Sequence, residues 1–387
     1  MIELLIVEDD AQEQKSWYQV IEMHNANEDE NGFKIVPAFA PSLQEAKKLI
    51  ASKNYDAAVV DVRLKQANGQ TGPNTDGNLV LELLLETEMT VVALFTGESP
   101  LAATPAWAKK MVQTFTKGGG DNEGTQAVMK WLCAQAPMIR QVKAAQQRIK
   151  REMAKVFCHS IWPRWNNWIQ SPGSTDDFIT TAITRHITSH IYAALLAEGP
   201  HGVHPEEWYF IPPLTNRINT GDLIKLTDGT IEIVITPRCD LQRDDKNETI
   251  QLAACKDVSA EWEKRCEKIT AAKEALQNHK LSAGDKGIQK LEEALGNADE
   301  ALRRYTQHSN CTTFHFLPRM KMIDGSVIGP FYVHFDKIRS VARSSEEVKA
   351  ISNQRIASLT SDFLPSLVER LGSFFSRIGT PDYSHPD

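Results

Sequence analysis

Hydrophobic positions at the start of the chain gather into short unbroken runs: Leu4-Leu5-Ile6-Val7, Ala57-Ala58-Val59-Val60 and Val91-Val92-Ala93-Leu94-Phe95, with a weaker match at Gln113-Thr114-Phe115-Thr116. Continuous runs, as opposed to alternating ones, are what strands buried on both faces of a parallel sheet require. Between them lie mixed stretches at helical spacing. The pattern predicts helices over Ala11 to about His24, Ser42–Ser52, Asp76–Glu86, Pro105–Met111 and Glu123–Gln135, with a further strand at Phe33–Phe39. Strand–helix pairs in alternation predict a doubly wound α/β sheet with strand order 2-1-3-4-5 over residues 1–135.

Residues 136–205 read as helical. Met138 to about Phe157 lacks Gly and Pro and repeats Ile139, Val142, Ala145, Ile149, Met153 and Val156 at three- and four-residue steps. That spacing makes an amphipathic helix, with Arg148, Lys150 and Arg151 placing charge on the other face. Such a connector either transmits and dimerises or packs on its own next domain. Trp162, Trp165 and Trp168 then crowd Ile161–Ile169. Aromatics at this density form a ligand platform or partner surface, or, more commonly, the core of a small helical subdomain. A helix over Asp176–Leu196 carries His186 and His190 one turn apart. That spacing can hold a metal, but the Glu of a metalloprotease pattern is missing.

Strands return over residues 206–344. Gly221–Leu226 and Ile231–Thr236 predict a hairpin around Thr227-Asp228-Gly229-Thr230, ended by Pro237–Leu241. Further strands are expected at Ile250–Ala254, Thr312–Leu317, Pro330–Phe335 and Ile338–Ala342. Short strands around tight turns predict a small SH3-like β-barrel. The polar insertion 259–307, broken at Ser282-Ala283-Gly284-Asp285, predicts two antiparallel helices, either a partner arm or a solvated hairpin. Residues 345–387 add helices at Ser345–Ile351 and Asp362–Ile378 and a polar tail, Gly379–Asp387.

The chemistry gathers at the carboxyl ends of the first strands. Glu8 and Asp9 follow the first run, Asp61 the second and Thr96 the third, while Lys117 follows the weaker one. Ligands of open α/β sheets bind in the crevice outside those strand ends. Two acids, a lone Asp, a hydroxyl and a Lys converging there are equipped to hold a divalent cation and move a phosphoryl group.

Over about the first 135 residues this set resembles the response-regulator receiver domain of two-component signalling, a flavodoxin-like doubly wound fold. The resemblance implies Asp61 as phosphoacceptor and Mg2+ held by Glu8, Asp9, Asp61 and the backbone carbonyl of Arg63. Thr96 and Lys117 would contact the phosphoryl oxygens, and a sensor histidine kinase would be the donor. The chain departs from that family in three places. The stretch Arg63–Thr75 beside Asp61 is long and rich in turn formers, so it is expected to respond most to phosphorylation. Lys117 is followed by Gly118-Gly119-Gly120 in place of Pro. Thr114 stands where the family carries its switch aromatic, with Phe115 one position away.

At 387 residues the chain is long enough for two or three domains. Its 41% hydrophobic and 24% charged content is that of a globular protein, and a net charge of -7 argues against nucleic-acid binding through the whole surface. No apolar run is long enough to span a membrane, and the first strand begins without a signal segment, so a cytoplasmic location is expected. The six cysteines (Cys133, Cys158, Cys239, Cys255, Cys266, Cys311) have no CxxC pair and read as reduced, mostly buried thiols, with zinc at Cys239 and Cys255 a remote alternative. In the third region, Gly221–Ile224 and Phe335–Ile338 resemble the barrel of the MazF/PemK toxins, though that family's Arg-Pro pair is absent. Thr236-Pro237-Arg238-Cys239-Asp240-Leu241 resembles a TPxCDL-type motif of uncharacterised bacterial receiver-linked proteins near defence genes. The expectation is a response regulator in a bacterial phosphorelay, of an anti-phage kind, whose C-terminal part is an interaction or phosphate-buffering module acting on a downstream effector protein or as a homodimer. The alternative is a phosphorylation-controlled, RNA-cleaving barrel.

Overall fold

The computed structural model describes residues 1–64, 74–118, 124–170, 175–197, 203–243, 248–282, 287–307 and 313–377. Most of the long stretch Arg63–Thr75 (residues 65–73), Gly119 and Gly120, Cys311, Ala283-Gly284-Asp285 and the tail 379–387 lie outside them. The chain divides into two compact units, Met1–Gly199 and Pro200–Asp387.

The first unit begins with β1 (Ile2–Val7), α1 (Ala11–Ala26), a single turn α2 (Glu28–Asn31), β2 (Ile35–Ala40), α3 (Leu43–Ser52) and β3 (Ala57–Val60). It continues with α4 (Asp76–Thr87), β4 (Val91–Thr96), β5 (Gln113–Thr116) and α5 (Gly124–Val156). The strands are parallel in the order β2-β1-β3-β4-β5, a flavodoxin-like doubly wound sheet. Alternate strand residues serve opposite faces, which is why the apolar runs are unbroken. Leu5, Val7, Ala58, Val60 and Leu94 pack on Ile50 of α3 and on Val80, Leu81 and Leu84 of α4. Leu4, Ile6, Val59, Ala93 and Phe95 pack on Trp17 and Ile21 of α1 and on Val128, Leu132 and Ile139 of α5.

Two expectations fail here. The fourth crossover helix does not form. In its place stand two separate 3₁₀ turns, Ser99–Leu101, which contains Pro100, and Ala106–Ala108, for which Pro105 is the N-cap. In addition, the helices expected over 123–135 and 138–157 are one, running through Pro137. An interior proline costs about 3 kcal/mol in a free helix. Here Ala136 and Ile139 are both in the core. The next turns are tied down as Arg140 donates to the Gly32 carbonyl (3.3 Å) and Lys143 Nζ to Asp56 Oδ2 (2.5 Å) and the Met1 carbonyl (3.1 Å). Tertiary packing overrides the local preference, giving a rod about 50 Å long.

After α5 come a π turn (Phe157–Ile161), a 3₁₀ turn (Trp162–Arg164), α6 (Trp165–Ile169) and α7 (Asp176–Ala197). The tryptophans are not the core of a subdomain. Trp162 is 67% and Trp165 45% exposed. Trp168 alone turns inward, edge-on to His186.

The second unit holds β6 (Tyr209–Phe210), β7 (Asp222–Lys225), β8 (Ile231–Val234), α8 (Arg238–Leu241) and β9 (Thr249–Asp257). Then come α9 (Ser259–Ser282), α10 (Ile288–Gln307), β10 (Phe314–Leu317), β11 (Met320–Lys321), β12 (Val327–Ile328) and β13 (Phe331–Ala342), followed by α11 (Glu346–Asn353), β14 (Arg355–Leu359) and α12 (Leu364–Phe375). Seven strands form one antiparallel, half-barrel sheet in the order β10-β13-β9-β8-β7-β14-β6. The two last strands expected separately are one, β13, which bends at a bulge between His334 and Ile338. The helical pair expected in the insertion is present as α9 and α10. β14 carries no apolar run, because two of its members are polar groups bonded to a buried acid. Asp222 is fully buried and accepts from Asn219 N (2.8 Å), Arg355 Nη1 (3.2 Å) and Ser358 Oγ. A buried carboxylate must be paired in this way to be tolerated.

Candidate functional site

Strand register assembles the site. Val7 pairs with Val60, so the residues that follow, Glu8 and Asp61, lie side by side. Val60 pairs with Leu94 and Thr96 with Thr116, which brings Thr96 and Lys117 to the same edge. Asp10 does not join the acids: its carboxylate caps α1, accepting from Gln12 N (2.7 Å) and Glu13 N (3.1 Å). That leaves Glu8 and Asp9 for the site.

Lys117 Nζ lies 2.7 Å from Glu8 Oε2 and 2.7 Å from Asp61 Oδ2. One carboxylate oxygen each of Glu8, Asp9 and Asp61 lies within 4.8 Å of the others, a grouping that can hold a cation. Glu8 and Asp61 are buried and Asp9 half-buried. Asp61 Oδ1 also accepts from Arg63 N at 3.3 Å. Thr96, 1% exposed, uses its Oγ as acceptor from Glu98 N (3.2 Å), which leaves the hydroxyl proton to be donated elsewhere. Across the mouth, the Arg63 guanidinium meets Glu98 at 2.6 Å.

Burial pushes the Glu8 carboxyl up to about 7, against the hydrogen bond and charge of Lys117, which pull it down. Burial lowers the Lys117 ammonium, but its hydrogen bonds to Asp61 and Glu8 outweigh that, and the net shift is upward. Three carboxylates around one ammonium are under-neutralised, and Mg2+ prefers carboxylates supplemented by water and phosphate oxygens. The donor set therefore fits that ion.

The Glu8 shift has a definite sign. A carboxyl whose pKa is raised on folding destabilises the fold once pH passes its unfolded value, near 4.5, and the loss is complete above about 7. We expect a carbon-13 titration of the Glu8 carboxyl without metal to have its midpoint near 7, and Mg2+ to move that midpoint down. A midpoint near 4.5 without metal would mean that the carboxyl is not desolvated as the structure has it.

Gly77 was not marked by any motif. It opens α4, where a side chain would improve helix propensity. A Cβ there would stand 1.8 Å from the Asp61 carbonyl oxygen and 2.8 Å from Val62 Cα. The absence of a side chain lets α4 press against the backbone that carries Asp61.

Other sequence candidates do not converge. Phe115 packs on Trp131 (5.9 Å between ring centres), so it serves the α5 side of the sheet and not the site. His186 and His190 are in ring contact, but His186 Nε2 shares a hydrogen bond with Ser160 Oγ (2.7 Å), and among the described residues the acid trio is the one group of three or more His, Cys, Asp or Glu placed to hold a metal. Cys158 and Cys239 are exposed and Cys133, Cys255 and Cys266 half-buried, contrary to the expectation of mostly buried thiols. The Thr236–Leu241 motif is a locked turn. Thr236 Oγ accepts from Gln251 N (2.6 Å), Leu241 is buried, and the Arg343 guanidinium binds the carbonyls of Asp240 (3.1 Å) and Leu241 (2.9 Å).

No family model matches the chain, and no curated protein does. Among solved structures, a CheY-like receiver domain from Methylobacillus flagellatus is 14% identical, matching 34% of this chain and 97% of that one with a TM-score of 0.25. A Francisella receiver domain is 21% identical, over 37% of this chain and 99% of that one, with a TM-score of 0.24. The response regulator TrrA from Thermotoga maritima, solved with Mg(2+)-BeF, is 19% identical over 34% of this chain and 99% of that one, with a TM-score of 0.23. The fold of the first unit is defined by its own strand order and register. No helix among the described residues is long and apolar enough to cross a membrane.

Proposed function

We propose that the first unit is a receiver domain and the chain a response regulator phosphorylated on Asp61. The observation that carries this reading is the bridge from Lys117 to both Glu8 and Asp61 at 2.7 Å, with Asp9 beside it. A carboxylate oxygen of Asp61 attacks phosphorus and forms an O–P bond. The P–N bond of a kinase phosphohistidine, or the P–O bond of a small phosphodonor, breaks, and its electron pair leaves with the donor. Lys117 and the Thr96 hydroxyl donate to the phosphoryl oxygens, which gain charge as the bond to the donor lengthens. Mg2+, held by Glu8, Asp9, Asp61 and the Arg63 carbonyl, would neutralise the same oxygens. The donor in this reading is a sensor histidine kinase in the bacterial cytoplasm. The second unit serves an interaction or phosphate-buffering role. A setting in phage defence is supported by the Thr236–Leu241 resemblance alone.

The test is intact mass spectrometry after incubation with acetyl phosphate. One phosphoryl group should add with Mg2+ and none with excess chelator. Asp9→Ala should raise the Mg2+ requirement at least about tenfold while the fold persists. Labelling that ignores both the chelator and the substitution would refute the site.

A further inference from the structure

The end of the α5 rod carries features that the phosphorylation site does not use. Phe157, Trp162 and Trp165 are 46%, 67% and 45% exposed. With Pro163 and Asn166 they line an open cleft of about 460 Å³. Phe157 and Trp162 stand at 5.3 Å with their planes tilted by 50°, so the cleft has aromatic walls. The Asn166 carboxamide lines it and has no hydrogen-bond partner among the described residues.

The segment that carries this cleft has a charge opposite to that of the chain. The whole protein carries -7, yet from Met138 to Gln170 seven Lys and Arg face one acid, Glu152. Lys143 is engaged by Asp56, and Lys155 by Glu152. Lys150, Arg151 and Arg164 are exposed. Lys150 lies seven residues before Phe157, hence on the same helix face, and Arg164 sits between the two cleft tryptophans.

We propose that this surface binds single-stranded nucleic acid, with a base in the aromatic cleft and the flanking phosphates on Lys150, Arg151 and Arg164. Flat aromatic walls accept the face of any base, an amide at the rim satisfies a base edge, and cations spaced along a helix follow a phosphate backbone. A concave slot suits a planar base better than it suits a lipid surface, which takes up aromatics that protrude from one helix face. The negative charge of the whole chain excludes binding through the whole surface but not through a segment whose sign is reversed.

The experiment is fluorescence anisotropy of the full chain with labelled oligouridylate and oligodeoxythymidylate of about twenty nucleotides, longer than one expected site. With three phosphate contacts, affinity should fall about twentyfold between 50 and 200 mM salt. Lys150→Ala with Arg164→Ala should cut that to about two- to threefold. Trp162→Ala with Trp165→Ala should weaken binding about tenfold or more while leaving the salt dependence as it was. These side chains are exposed, so unchanged circular dichroism and unchanged acetyl phosphate labelling serve as fold controls. No binding at 50 mM salt, equal binding by the tryptophan variant, or capture by phosphatidylglycerol vesicles but not by the oligonucleotides would each overturn the proposal.

Discussion

Asp61→Asn should take up no phosphoryl group from any donor. The substitution keeps the shape of the side chain and removes the one property the reaction needs, an anionic oxygen that can form a bond to phosphorus. Alternative acceptors are poorly placed. Glu8 is 1% exposed and has an oxygen on Lys117, and Lys117 is itself held between two acids. The fold should tolerate the change, since Lys117 keeps Glu8 as its partner, and the urea midpoint should move little. A label of wild-type intensity on the Asn variant would remove Asp61 from the mechanism.

Gly77→Ala should be the most damaging single methyl group in the first unit. Helix propensity alone favours Ala by about 1 kcal/mol. Against that stands a Cβ placed 1.8 Å from the Asp61 carbonyl oxygen, and the obstacles are backbone atoms that cannot swing away. Overpacking of this kind costs about 1–3 kcal/mol, and more where backbone must move. We expect a net loss of about 2–3 kcal/mol by urea unfolding, together with much slower labelling, because relief requires moving the segment that bears Asp61. Gly97→Ala is the control. It follows Thr96 at the same sheet edge, but a Cβ there meets nothing within 4 Å, and stability should be close to unchanged. Equal stability of the two variants would show that α4 does not press on the phosphoacceptor strand.

The parallel sheet was legible because its strands are buried on both faces, so β1, β3 and β4 are written as unbroken apolar runs and the residues after them must lie at one edge. The acid trio, Thr96 and Lys117 follow from that geometry. What was hidden depends on contacts remote in sequence. The passage of α5 through Pro137 is decided by Ile139 in the core and by Lys143 on Asp56, neither of which a local pattern can show. β14 has Arg355 and Ser358 where a buried strand would show apolar residues, because both are spent on Asp222. The tryptophans of Ile161–Ile169 have the composition of a core, and only the exposure of Trp162 and Trp165 shows that these two form a surface. Gly77 carries no motif at all, since its role is a distance to another segment's backbone.

The most direct measurement is the position of the phosphoryl group itself. After acetyl phosphate treatment with Mg2+, borohydride reduction of the acyl phosphate and peptide mass spectrometry should place a single reduced acid at Asp61. Modification at Glu8, Asp9 or a histidine instead, or no trapped acyl phosphate on a chain that is nonetheless labelled, would contradict the account.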